Sequence, residues 1–330
     1  MRLSTRFPII VIILSFLFFS SCSKDTTYTV IPDNPGNTNA SFSDVTYGSN
    51  TNWLGQQQEL KLDVYLPPSP TAGVKYPLIV WIHGGGFQVG DKAAGEKFAD
   101  LMTVKGFIVA PINYRLGWTH SETNTCDGDT TKASEAYYRA VQDTRAALRF
   151  LVANADKYSI DTNWIFVGGA SAGAVTSLGT AYTTQQVANE YLSSTTAKLG
   201  PVDAGNTLTN SYRIKGVLSM WGAVTHPEII TRANAIPTIF FQGTDDNVVP
   251  FDVGHFYICD NFQIGYGTKP LYEKLTGFDV PAVAHIEPGG GHGVFEDDFR
   301  ADNSACFLKS LMSKTPQTGY YIGDNANNCQ

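Results

Sequence analysis

The sequence predicts an α/β fold: a mainly parallel central sheet of about eight strands with helices on both faces. Three observations carry the prediction. Short, continuous apolar runs at residues 76–82, 107–114 and 164–167 read as strands covered on both sides. Stretches with helical spacing lie between them, and the β, α, β, α order is the pattern of parallel strands joined by crossovers. Glycine-rich turns stand at the carboxyl ends of strands, at residues 83–87, 169–173 and 289–293, where an open α/β sheet places its ligand crevice.

Each element follows from local pattern. Order is expected to begin near Phe42. Residues 60–66 alternate apolar and polar, as a half-buried antiparallel strand does, and Pro67, Pro68 and Pro70 end the run. Residues 76–82 form the first central strand and empty into His83-Gly84-Gly85-Gly86-Phe87. A helix is expected over 93–104, a buried strand over 107–114, and then a loop rich in Thr, Asp, Asn and Gly over 117–132 that carries Cys126. Tyr137, Val141, Thr144, Leu148, Leu151 and Val152 recur at spacings of three and four and define an amphipathic helix. The strand at 164–167 passes through Gly169-Ala170-Ser171-Ala172-Gly173 into a helix over 174–178. Residues 183–212 are polar and weakly periodic; they read either as a lid over the site or as a surface excursion with no role in it. Strands over 214–221, 237–242 and 283–286 and helices over 268–275 and 294–312 complete the pattern. The Asn- and Gly-rich C-terminus is expected to be loosely ordered.

Composition sets the frame. The chain has 330 residues, 43% hydrophobic and 16% charged, enough apolar material for one substantial core. The expected division is an export signal over 1–21, a flexible tether over 22–40 and a single domain over 41–330, with lid segments near 117–132 and 183–212. A formal charge of −7, with no Lys/Arg cluster, argues against a nucleic-acid partner. Arg2 and Arg6 precede an apolar run over 7–19 that is short for a membrane span. Its ending, Ser20-Ser21-Cys22, resembles a bacterial lipobox, which implies lipid attachment at Cys22 and a membrane contact through that anchor in the cell envelope, periplasmic or at the surface. An ordinary secretory signal, giving a secreted protein, is the alternative. Of the other cysteines, Cys126, Cys259, Cys306 and Cys329, an even number in an exported chain predicts disulfides with three formal pairings. Cys126 with Cys259, both in loops, and Cys306 with Cys329, pinning the tail to the last helix, are the expected ones. No C-x-x-C pair points to zinc, and nothing points to another metal or an organic cofactor.

The chemistry begins at Ser171. A Gly-x-Ser-x-Gly between a strand and a helix is the sequence form of a nucleophile elbow, in which flanking glycines let the strand and helix approach while the serine is lifted above the sheet. Serine is a weak nucleophile at neutral pH and needs a base. His292, in the Gly-rich turn after the last strand, has a suitable intrinsic pKa. Asp246, in the turn after the strand at 237–242, would orient the imidazole and stabilise its protonated form, with the neighbouring Asp245 as the competing choice. His83-Gly84-Gly85-Gly86 would supply backbone N–H groups from Gly85 and Gly86 which, with that of Ala172, form an oxyanion hole. His83 is expected to brace this loop, and His285, inside a strand, to be packed. Phe87, Trp118 and Trp221 fall near strand ends, either as core or as contacts to an acyl or aryl group.

Taken together, His83 to Phe87, Asn113-Tyr114-Arg115-Leu116, Gly169 to Gly173, the turn after residue 243 and Gly291-His292-Gly293 resemble the α/β-hydrolase superfamily. Within it they most resemble carboxylesterases and hormone-sensitive-lipase-like esterases, across residues 60–295. That resemblance implies the chain order Ser171, Asp246, His292 for a catalytic triad and a small-molecule or polysaccharide ester as substrate. The implied activity is serine carboxylic-ester hydrolysis through an acyl-enzyme, with short acyl, acetyl or feruloyl esters of extracellular polysaccharide suggested by export. A serine peptidase or an arylformamidase is the alternative within hydrolases, and a non-catalytic binding module on the same fold is the alternative of another class.

Overall fold

The computed structural model describes residues 40–120 and 124–323. The expected export signal at 1–21, Cys22, nearly all of the tether at 22–40, and Cys329 lie outside these residues.

Two antiparallel strands come first among the described residues, β1 (Phe42–Thr51) and β2 (Gln57–Val64). There follow β3 (Tyr76–Ile82), α1 (Glu96–Thr103), β4 (Ile108–Ile112), α2 (Thr130–Ala153), β5 (Ile160–Ala170) and α3 (Ala172–Tyr182). Two short helices come next, α4 (Gln185–Tyr191) and α5 (Ser193–Leu199), then β6 (Ile214–Met220) and β7 (Thr238–Gly243). A small hairpin of β8 (Val253–His255) and β9 (Ile264–Tyr266) precedes α6 (Thr268–Gly277), β10 (Ala282–Glu287), α7 (Asp297–Met312) and β11 (Gly319–Ile322).

Nine strands form one sheet in the order β1-β2-β4-β3-β5-β6-β7-β10-β11. From β4 onward every neighbouring pair is parallel, while β1/β2 and β2/β4 are antiparallel. The ninth strand corrects an expectation. The tail was expected to be loose, yet Gly319–Ile322 pairs in parallel with Val283–Ile286. Four residues are too few to show a period, and half-buried and exposed positions merely alternate at the sheet edge, with none of the four fully buried.

Why β3 is apolar throughout is clear from its two faces. Leu78, Val80 and Ile82 pack in the cluster that holds Leu148 and Leu151 of α2 and Leu178 of α3. Ile79 and Trp81 point the other way, into the cluster of Phe98 and Met102 from α1 and Phe307 and Leu308 from α7. A strand sandwiched in this way has no solvent face on which to place polar residues.

The Asn113 to Leu116 segment, leaving β4, is anchored by a buried ion pair. Arg115 donates from Nε and NH2 to the Asp143 carboxylate of α2, which also accepts the Arg115 backbone N–H at 2.8 Å. The remaining guanidinium bonds go to Thr51 O and Gln142 Oε1, so both charges are fully satisfied inside the protein. This network fixes where the chain turns into the loop that carries Trp118.

Candidate active site

Ser171 stands between β5 and α3 with φ 55° and ψ −122°, a conformation rarely adopted by a residue with a side chain. It is held there from both sides: its N–H donates to Met220 O at 2.9 Å and its C=O accepts from Val175 N at 3.0 Å. The flanking glycines answer to β3. A Cβ on Gly173 would lie 2.0 Å from Ile82 O, and one on Gly169 would lie 2.4 Å from the same atom. Any side chain at either position would push the elbow off the sheet.

Three side chains separated widely in sequence meet above the strand ends. Ser171 Oγ–H donates to His292 Nε2 at 2.8 Å, and His292 Nδ1–H donates to Asp246 Oδ2 at 2.9 Å and Oδ1 at 3.0 Å. The Asp246 side chain is fully buried, while that of His292 is 22% exposed, open to a substrate. Burial raises the Asp246 pKa, but the hydrogen bond from His292 and the N–H groups of Val249 and Val248 outweigh it, and the carboxyl lies below its ordinary range. Those N–H groups reach Oδ1 at 3.0 and 2.9 Å, a turn that an Asp two or three residues upstream commonly caps. Gln242, fully buried at the end of β7, adds Nε2–H to Oδ2 at 3.3 Å and is itself fixed by Val249 O and Thr268 N. Asp245, the competitor, is exposed, with Thr244 Oγ1 against its carboxylate at 3.0 Å. The geometry therefore brings Asp246, not Asp245, to the histidine.

The glycine loop after β3 closes the site on the other side. Gly86 and Ala172 line the same pocket as Ser171. Gly85, with φ 105°, turns the loop behind them, its C=O accepting from the N–H groups of Gln88 and Val89. Among the described residues, the N–H groups of Gly85, Gly86 and Ala172 have no backbone acceptor. His83 braces this loop as a buried ring: Nδ1–H donates to Gly84 O at 2.7 Å, and the ring stacks on Tyr114 at 4.4 Å. Tyr114 in turn donates its hydroxyl to His83 O at 3.0 Å. Burial lowers the His83 pKa, which keeps the ring neutral at pH 7.

Beside Ser171 lies a largely apolar pocket of about 120 Å³. One wall is aromatic: Phe87 of the glycine loop is joined by Trp118 from the loop at 117–132 and by Phe256, Tyr257 and Phe262 from the hairpin loop, with Thr130, Ser134 and Gln263 as polar points. Trp118 is almost wholly buried and donates Nε1–H to Gly86 O at 2.8 Å, so this wall is tied directly to the glycine loop. The expected disulfide between Cys126 and Cys259 is present and joins the two segments that build the wall. The other wall holds Val175, Thr183, Val187, Tyr191, His226 and Ile229.

The segment at 183–212 divides in two. Thr183, α4 and Leu192 border the pocket, whereas Asp203 and Asn206 are bound to Arg149 of α2, away from the serine. Trp221, read from the sequence as either core or substrate contact, does not line the pocket. It is 8% exposed and lies between His292, at 6.0 Å, and the guanidinium of Arg300, at 5.1 Å. His285 is packed, stacked between Phe241 and Tyr321. Sequence reasoning missed Gln242, Tyr257 and Phe262. A buried Gln closing a strand was the available signal for the first; the other two carry no local signature.

A serine on a strand-to-helix elbow, an acid after β7 and a histidine after β10, set on a mostly parallel twisted sheet, define the α/β-hydrolase fold. Within that class the chain belongs to the BD-FAE family, which matches residues 62–256, more than half of its length. Among relatives, it is 37% identical to gut esterase 1 of Caenorhabditis briggsae over 117 residues, 35% of this chain and 19% of that protein. The chain thus spans about a fifth of the length of that relative. Among solved structures, it resembles a truncated carbohydrate esterase from gut microbiota, with a TM-score of 0.56 at 18% identity, covering 85% of this chain and 98% of the other. It also resembles esterase 2 of Thermogutta terrifontis phosphorylated by paraoxon, with a TM-score of 0.58 at 16% identity, covering 86% and 96%.

Proposed function

We propose that this chain is a serine carboxylic-ester hydrolase acting through an acyl-enzyme on Ser171. The observation that carries the reading is the continuous hydrogen-bond chain from Ser171 Oγ through His292 to the buried Asp246 carboxylate. Ser171 Oγ attacks the acyl carbon while His292 Nε2 takes its proton, and Asp246 stabilises the imidazolium that forms. The N–H groups of Gly85, Gly86 and Ala172 receive the developing oxyanion. His292 then hands the proton to the departing alkoxide, leaving the acyl group on Ser171. Water enters, loses its proton to His292 and repeats the sequence to release the acid.

The substrate side of the proposal is a short acyl, acetyl or feruloyl ester on extracellular polysaccharide. The aromatic pocket wall beside Ser171 supports an acyl or aryl group there, and the fold neighbour described as a carbohydrate esterase supports the saccharide alcohol. Lipid attachment at Cys22 in the cell envelope is proposed with it, on the Ser20-Ser21-Cys22 ending. Purified Ser171→Ala protein is expected to lose turnover of p-nitrophenyl acetate and to resist labelling by a fluorophosphonate that labels the wild type. Retained activity in that variant would overturn the proposal, and a panel of acetylated xylan and methyl ferulate then ranks the substrates.

A further inference from the structure

Beyond the acid turn, the chain crosses the mouth of the site in the loop between β8 and β9. Two consecutive residues there, Tyr257 at φ 59° and Ile258 at φ 56°, occupy the left-handed region without being glycine. For a β-branched residue such as Ile258 this is a true outlier. Burial of its own side chain does not explain it, because Ile258 is 73% exposed. The neighbouring contacts do explain it, since each of them holds the loop down. Tyr257 N–H donates to Val248 O at 2.8 Å, two residues past Asp246. Cys259 is bonded to Cys126, and Asn261 Nδ2–H donates to Cys126 O at 2.6 Å. His255 Nδ1–H donates to Phe262 O at 2.6 Å, closing the loop on itself.

What the strained backbone delivers is the Tyr257 side chain. Its ring leans edge-on against Phe262 at 5.3 Å and lines the pocket with Ser171, Gly86 and Ala172. Its hydroxyl reaches the glycine loop: a Cβ built on Gly86 would lie 3.1 Å from Tyr257 Oη, and outside Gly85, Gly86 and Phe87 no other described atom comes within 4 Å of that position. So the hydroxyl sits beside the residue assigned to the oxyanion hole. Burial raises the Tyr257 pKa, and the phenol therefore stays protonated and able to donate at neutral pH. Strained backbone maintained by surrounding contacts is a known mark of a side chain held for function.

We propose that Tyr257 is a further catalytic residue, whose Oη–H donates to the oxyanion of the tetrahedral intermediate beside the Gly86 N–H, and that the Cys126–Cys259 bond is the clamp that holds it in place. The inference rests on the Ser171 reading above. It makes the loop between β8 and β9 part of the catalytic apparatus and makes turnover sensitive to the oxidation state of one cysteine pair. No proton leaves Tyr257; the hydrogen bond strengthens as charge builds on the acyl oxygen and relaxes when the intermediate collapses.

The test is Tyr257→Phe, which keeps the ring packed on Phe262 and removes only the donor. With p-nitrophenyl acetate, kcat is expected to fall on the order of 10²-fold while KM stays within about threefold, as for an interaction made only in the transition state. An unchanged thermal midpoint separates this loss from a folding defect. Opening the disulfide, by Cys126→Ser with Cys259→Ser, is expected to lower kcat when Tyr257 is present and to add little in the Y257F background. If Y257F leaves kcat within about threefold of the wild type in an enzyme that Ser171→Ala inactivates, Tyr257 is not a donor and the proposal fails alone. Activity that survives Ser171→Ala would remove the serine reading as well. Equal losses on opening the disulfide in both backgrounds would show that the clamp acts other than through Tyr257.

Discussion

Replacing Asp246 by Asn tests the site at its most buried point. The Asp246 carboxylate accepts from His292 Nδ1, from the N–H groups of Val248 and Val249, and from Gln242 Nε2. An Asn side chain offers one acceptor oxygen. With that oxygen kept on the Val248 and Val249 N–H groups, the amide NH2 faces two other donors. His292 then gains a partner only by flipping its tautomer, so that Nδ1 accepts and Nε2 carries the hydrogen. In that form Nε2 can no longer take the Ser171 proton. Loss of the productive tautomer is expected to cut kcat by roughly 10³- to 10⁴-fold, about 4–5.5 kcal/mol of barrier. One of the two Gln242 Nε2–H donors, the other still held by Val249 O, is left without its acceptor in a fully buried place, which costs about 1–3 kcal/mol of stability besides. Steady-state kinetics with p-nitrophenyl acetate and urea unfolding of the same preparation separate the two effects, with Asp245→Asn as the control expected to be nearly neutral. Activity within tenfold of wild type for Asp246→Asn, or a larger loss for Asp245→Asn, would show that the buried carboxylate does not set the histidine tautomer. The pH dependence has a definite sign. Because the folded pKa of Asp246 lies below the ordinary 3.8, the unfolded chain takes up the proton first as pH falls. The stabilisation is therefore complete above that value and is lost as pH drops through the lower, folded one, a loss absent in Asp246→Asn.

Two further outcomes are expected. Gly173→Ala would set a Cβ 2.0 Å from Ile82 O, so it should abolish activity and lower the thermal midpoint, whereas Gly277→Ala, at the end of α6 with nothing within 4 Å, should be neutral or stabilising by about 0.5–1 kcal/mol; equal midpoints for the two variants would contradict the packing described for the elbow. Expression of the full chain should place the protein in the membrane fraction, and Cys22→Ala should release it; recovery of both proteins in the soluble fraction would rule out the lipid anchor.

How far the fold could be read depended on where each side chain goes. Strands β3 to β7 and β10 were legible because both faces of the sheet are covered there and buried apolar residues run through each of them. The edge strands were not. In β1, only Tyr47 is buried, so its place comes from backbone pairing with β2 rather than from a hydrophobic period. The same holds for β11 beside β10. At the site, Ser171, Asp246 and His292 were legible because each sits in a turn that immediately follows a strand. Between Asp246 and its neighbour Asp245 the sequence holds no physical ground for choosing; the geometry supplies it in the Val248 and Val249 N–H groups and Gln242. Tyr257 was not legible at all, because nothing in its neighbourhood announces a left-handed tyrosine.

The local features of this protein are written in its sequence: which segments are central strands, where the chain must be glycine for a serine to be raised above the sheet, and the order serine, acid, histidine. These depend on sterics and burial within a few residues, and such information is written where it acts. Which groups meet is a matter of how the chain folds back on itself. The parallel register that sets Gln242 beside Ile286 and Gly243 beside Glu287 carries the acid turn and the histidine turn to the same place, so His292 reaches across 46 residues to Asp246 and 121 residues to Ser171. A disulfide spanning 133 residues builds the aromatic wall in the same way. Convergence of this kind depends on sheet register, which leaves no mark in the residues it brings together; the disulfide did leave one, since its two cysteines could be paired from the sequence, but not the aromatic wall that it assembles.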